Sequence, residues 1–92
     1  MSAIIKPLGT ESVCNTTTFS SYSNSTLVKL SHASAVTTLA LIICKDSTNT
    51  ITKWTMSVVG GETLIVEKSP TDLLTSNNTA ATLVAVGVAY KN

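Results

Sequence analysis

Residues 50–68 read TITKWTMSVVGGETLIVEK, and this stretch decides the fold class. Apolar and polar side chains alternate along residues 50–58 and again along residues 62–68. A period of two is the pattern of a β-strand that buries one of its faces. Gly60 and Gly61 separate the two runs, and glycine accepts the positive φ that tight turns require. The stretch therefore predicts a β-hairpin.

Further strand patterns lie on both sides of this stretch. Residues 26–31 alternate weakly, and residues 36–44 become apolar on both faces, which predicts a central strand. Residues 82–90 alternate valines with small side chains, among them Gly87, which would allow another layer to approach closely. Polar turn residues separate these runs, and no segment of ten residues shows helical periodicity. We therefore predict an all-β fold, a small antiparallel β-sandwich or barrel of about six to seven strands.

One departure from β structure is predicted near residues 70–75. Ser69 is a suitable N-cap, and Pro70 suits the first position of a helix. Asp72 is placed to reach back to the cap. These signals predict one short helical turn.

The N-terminal segment differs from the rest of the chain. Residues 1–12 predict an extended arm, because Pro7 is unsuited to a central strand and Gly9 permits a turn. Such an arm forms an edge strand or reaches a neighbouring subunit. We predict that residues 13–92 form a single β domain. We expect neither a secretory signal, since no basic start precedes an apolar run, nor a membrane helix, since no apolar run approaches 20 residues.

The composition offers few groups for catalysis. The 92 residues include 16 Thr and 12 Ser but one His and no Arg, and the net charge is +1. His32 is expected in a loop, and Glu62 and Glu67 leave opposite faces of one strand, so they cannot act as a carboxylate pair. Two cysteines and one histidine cannot complete a closed zinc site. We expect no enzyme, no catalytic or metal residues, no cofactor and no nucleic-acid binding.

Four further side chains have two possible interpretations. Cys14 and Cys44 are expected to be free thiols, although a bridge could form if the arm crosses the strand that ends at Cys44. Trp54 shares its strand face with apolar neighbours, which favours a core position. Trp54 and Tyr22 are nevertheless the aromatic residues that could bind a sugar.

Two segments carry a resemblance to a known group of proteins. Residues 60–74, GGETLIVEKSPTDLL, and residues 85–90, AVGVAY, resemble small virion-associated proteins of marine tailed bacteriophages, above all cyanophages. The resemblance implies a structural component of the particle without enzymatic activity, located in the virion and assembled in the host cytoplasm. It assigns no functional residues, and the length of residues 14–25 departs from it.

These observations lead to two functional hypotheses. The first is a capsid decoration or cement protein that contacts the major capsid protein or another virion protein. It would act as a homo-oligomer, with a trimer favoured, and residues 1–12 would be its docking arm. The alternative is a fibre or appendage module that binds a receptor or a glycan. Neither hypothesis involves nucleic acid or a membrane.

Overall fold

A computed structural model describes residues 4–33, 39–78 and 82–91. These residues contain strands and turns and no helix, which confirms the all-β prediction. The strands are β1 (Ile4–Pro7), β2 (Ser12–Val13), β3 (Leu27–His32), β4 (Ala40–Lys45), β5 (Thr52–Val58), β6 (Thr63–Glu67), β7 (Leu73–Ser76) and β8 (Leu83–Lys91).

The strands form two antiparallel sheets that pack as a sandwich. The five-stranded sheet has the order β1-β8-β3-β6, with β2 also paired to β8, and the three-stranded sheet has the order β5-β4-β7. The core lies between them, with Val28 and Leu30 from the first sheet and Ile42 and Leu74 from the second fully buried. Hydrogen bonding between the described strands does not join the two sheets, so the fold is a sandwich and not a barrel.

The predicted central strand is observed, and a loop approaches β8 closely at Gly87, where the sequence predicted another layer. β4 lies between β5 and β7, and residues 36–38 of its predicted range lie outside the described residues. At Gly87, a Cβ atom would lie 2.6 Å from the hydroxyl oxygen of Ser25 and would also collide with the carbonyl oxygen of Tyr22. Only glycine therefore lets the chain around residues 22–25 pack against β8.

The predicted hairpin at Gly60 and Gly61 is wrong. The turn itself exists, since the amide of Glu62 donates to the carbonyl of Val59 at 3.1 Å and Gly61 has a φ of 85°. However, β5 pairs with β4 in one sheet and β6 pairs with β3 in the other. The turn therefore crosses between the sheets, because each flanking strand finds its partner elsewhere in the chain.

The predicted helical turn at residues 70–75 is also wrong. The amide of Asp72 donates to the carbonyl of Ser69 at 3.0 Å, which closes a β-turn. Leu73–Ser76 then forms β7 and pairs with β4. Proline near the start of a segment favours a β-turn as well as a helix, and a single helical turn has little stability of its own. Pairing with β4 satisfies the backbone and buries Leu74.

The arm residues add strands to the five-stranded sheet. β1 pairs with β8 at Ile4–Lys91 through Pro7–Val88, and β2 pairs with β8 at residues 84 and 85. This raises the strand number to eight in the described ranges, above the six or seven predicted. β1 lies at the edge of the sheet, as Pro7 requires.

Candidate functional site

The two long sides of the sandwich differ, and one of them is closed by the segment of residues 14–25. The amide of Cys14 donates to the carbonyl of Leu83 in β8 at 2.8 Å. The hydroxyl of Ser76 in β7 donates to the carbonyl of Cys14 at 2.7 Å, and Ser20 bridges Leu74. The segment therefore links the two sheets, and we call this the closed side.

The opposite side lies between the edge strands β5 and β6 and is open. A groove runs along it, with an apolar part of about 340 Å³ and a polar end of about 490 Å³. Trp54 and Glu67 line both parts. The apolar part is further lined by Thr55, Met56, Ile65 and Val66, and the polar end by Thr26, Lys53, Lys68, Ser69, Pro70 and Asp72. We call this the open groove.

Trp54 forms a wall of the open groove because β5 is only partly covered. Trp54, Met56 and Val58 lie opposite Cys44, Ile42 and Ala40 of β4, so they share the inward face of the sheet. Val58 is fully buried, Trp54 is half-buried against the core, and Met56 is 38% exposed. Trp54 was predicted to lie in the core, and part of its side chain does pack there.

A β-bulge positions the charged residues at the polar end. The register of β4 and β5 shifts between Cys44 and Lys45, which leaves Lys53 without a paired residue. Bulges redirect side chains, and the ammonium of Lys53 donates to Oδ1 of Asp72 at 2.9 Å. This hydrogen bond lowers the pKa of Asp72 below its usual value. The carboxylate of Asp72 thus pairs with Lys53 of β5, and a hydrogen bond from the backbone of Ser69 also lowers its pKa.

Cys44 lies beneath this ion pair. Its Sγ atom is 3.8 Å from Oδ2 of Asp72, in hydrogen-bonding contact. Burial raises the pKa of Cys44 to about 11, with the negative charge of Asp72 adding to the rise. The thiol is therefore protonated at neutral pH and donates to the carboxylate. A protonated, buried thiol is a poor nucleophile.

Lys68 serves the fold at the same end. The residue is 5% exposed, and its ammonium donates to the carbonyls of Ser25, Ser69 and Pro70 at 2.8, 3.2 and 3.1 Å. Burial lowers the pKa of Lys68. These bonds tie the loop before β3 to the turn after β6. Lys53, whose side chain is 42% exposed, is thus the more accessible of the two lysines.

The remaining residues considered from sequence lie elsewhere. His32 is not in a loop but at the end of β3 opposite Leu83, 4% exposed, and no described atom is a hydrogen-bond partner for its ring nitrogens. Six residues of extended chain, about 20 Å, separate it from Thr26 at the groove.

Tyr22 is buried with its hydroxyl donating to the carbonyl of Val13, so it is not a sugar-binding surface. The free state expected for Cys14 and Cys44 is confirmed.

The described residues bring together no group of three His, Cys, Asp or Glu side chains that could hold a metal ion. Within the same ranges, no helix is long and apolar enough to cross a membrane. No protein-family model, curated protein or solved structure matches the chain. The candidate site therefore rests on its geometry alone.

Sequence reasoning found Trp54 but missed Lys53 and Asp72, because the bulge that joins them leaves no local signal.

Proposed function

We propose that the protein is a structural component of a tailed-phage particle that acts through protein–protein contacts and not as an enzyme. The resemblance of residues 60–74 and 85–90 supports the assignment to a virion. The geometry supports the mode of action, because the described side chains offer apolar surface and free strand edges but no set of groups arranged for catalysis. The favoured role is capsid decoration by a homo-oligomer.

The single observation that carries this proposal is the exposure of β1. None of its four side chains is buried, although it begins with two isoleucines. Ile4 is 61% exposed, Leu8 is 40% exposed, and Tyr90, directly opposite Ile5, is 51% exposed. We call Ile4, Ile5, Leu8 and Tyr90 the arm patch. These apolar residues lie on and beside one edge strand and contribute little to their own core, which is typical of a contact surface for another protein.

The test is binding to purified capsids that lack this protein, taken from the phage that carries its gene. Deleting residues 1–12 would also remove β1 and half of β2, so point substitutions are cleaner. We expect Ile4→Ser combined with Leu8→Ser to weaken capsid binding by at least tenfold. The matched control combines Ile51→Ser with Val59→Ser, two equally exposed apolar residues outside the patch, and should bind as the parent does. Equal binding by both double variants would rule out the arm patch.

One observation favours the alternative of a glycan-binding appendage module. Trp54 presents a half-buried aromatic wall in the open groove beside Lys53, Asp72 and Glu67. Aromatic faces next to charged hydrogen-bonding groups are a common arrangement for binding sugars. The chain has one tryptophan, so its fluorescence reports on this groove alone. A saturable change in emission on adding host glycans, lost in Asp72→Asn, supports the alternative, and an unchanged emission spectrum across the panel rejects it.

A further inference from the structure

β6 is the edge strand with the least protection against pairing. β1 carries Lys6 and Pro7, β5 carries the bulge at Lys53, and β7 is bridged by Ser20. Lysine, proline and bulges are the usual devices that block strand addition at an edge. β6 reads TLIVE, and among the described residues it pairs with β3 alone.

The hydrogen bonds to β3 show which backbone groups of β6 are free. The amide of Lys68 donates to Thr26, and the carbonyl of Glu62 accepts from His32. In an antiparallel pair, alternate residues bond to the same neighbour, so residues 62, 64, 66 and 68 face β3. The amides and carbonyls of Thr63, Ile65 and Glu67 therefore point away from the sheet at its open edge.

We propose that β6 pairs antiparallel with β6 of a second copy of this chain, around a two-fold axis at Ile65. In this register Ile65 faces Ile65 of the second copy, and Thr63 faces Glu67 of the second copy on both sides of the axis. All three residues with free backbone groups are then hydrogen-bonded in both chains. A shift of the axis by one residue leaves part of this set unpaired.

The side chains suit the same arrangement. No like charges face each other, because Glu67 meets a threonine and Glu62 meets Lys68 of the second copy. Leu64 and Val66 lie opposite Leu30 and Val28, so they share the inward face of the sheet. In the pair they face Val66 and Leu64 of the second copy, above the apolar part of the open groove. The second copy thus supplies apolar side chains at the place where Met56 is exposed.

This inference rests on the proposed mode of action by protein–protein contact, but it concerns a different edge from the arm patch. It predicts a two-fold dimer as the basic unit, where sequence alone favoured a trimer. Its experiments use the purified chain without capsids. Failure of the dimer and failure of capsid binding are therefore separate results.

The first experiment substitutes Thr63, which is exposed and lies opposite Ser31 within its own sheet. In the two-fold dimer, Thr63→Lys places a lysine opposite Glu67 of the other copy on both sides of the axis. Thr63→Glu instead places two carboxylates opposite each other at the same two positions. Each cross-strand charge pair contributes about 0.2–1 kcal/mol, so the dimer Kd should fall roughly 2- to 30-fold for Thr63→Lys and rise by a similar factor for Thr63→Glu. Sedimentation equilibrium measures both, and unfolding midpoints verify that both variants fold.

The second experiment places a cysteine on the axis. In Ile65→Cys the two introduced thiols face each other, at a Cα separation of about 5.5 Å that a disulfide can span. We expect a cross-linked dimer under mild oxidation, and none for Ser57→Cys, an exposed position on β5. A monomer at all concentrations, a trimer, or equal shifts of Kd in the two Thr63 variants would overturn the proposal.

Discussion

Strands with the same alternating pattern border the closed and the open side of the sandwich, but only on the closed side does another segment of the chain link the two sheets. On the closed side, the hydroxyls of Thr75 and Ser76 in β7 donate to the carbonyls of Asn15 and Cys14, and the amide of Cys14 donates to the carbonyl of Leu83 in β8. On the open side, β5 and β6 follow each other in sequence but lie in different sheets, and a groove separates them. The chain thus covers the edge of β7 on one side and leaves the edges of β5 and β6 uncovered on the other.

The largest expected effect comes from comparing a buried residue near the closed side with an exposed apolar residue at the open groove. Leu74 in β7 is fully buried, and Leu74→Ala should lower the free energy of unfolding by about 3–4 kcal/mol. Met56 faces the open groove, and Met56→Ala should cost less than about 1 kcal/mol because it is 38% exposed. Urea unfolding measures both. Equal costs would contradict the comparison.

The next effect tests the close packing of the loop around residues 22–25 against β8. Gly87→Ala should destabilise the fold by about 2–3 kcal/mol, because the new methyl group meets a backbone carbonyl that cannot move freely. At Gly9 a Cβ atom would meet only the hydroxyl of Ser23 at 2.9 Å, the movable end of a side chain. Gly9→Ala should therefore be close to neutral. Thermal unfolding of the two variants distinguishes them, and a neutral Gly87→Ala would show that the loop is not packed there.

A smaller effect concerns pH at the open groove. The pKa of Asp72 is lower in the folded protein than in the unfolded chain, so its ion pair stabilises the fold above about pH 4. This contribution is lost as the pH falls through the depressed pKa of the folded state. Lys53→Met should therefore destabilise the fold more at pH 7 than at a pH low enough to protonate Asp72 in the folded protein. Urea unfolding at both pH values measures the difference.

The control for this prediction is Lys29→Met. Among the described residues Lys29 has no ion pair, so its replacement should change stability by a similar small amount at both pH values. A pH-independent cost for Lys53→Met would show that the side chain acts through packing alone.

The smallest expected effect is an absence of change. Cys14 and Cys44 are free and buried, so a reducing agent should leave the unfolding midpoint unchanged. An alkylating reagent should modify neither thiol in the native protein and both after denaturation, as mass spectrometry would show. A midpoint that drops on reduction would indicate a disulfide.

The candidate site was less predictable than the strands around it. Alternation identified Trp54 as an inward-facing residue, since the faces of one strand are a local property. The partner of Asp72 was missed, because Lys53 reaches it through a bulge that depends on the register between β4 and β5. His32 was predicted in a loop because its neighbours are short and polar, whereas pairing with β8 makes it part of a strand.

The sequence by itself determined the all-β class and the positions of most strands, because periodicity acts over a few residues. Only the tertiary structure decided which strands pair. The turn at Gly60 and Gly61 is compatible with a hairpin and with a crossing between sheets, and the choice depends on β3 and β4, which are distant in sequence. Strand pairing is set by long-range burial, and that choice left one side of the sandwich open.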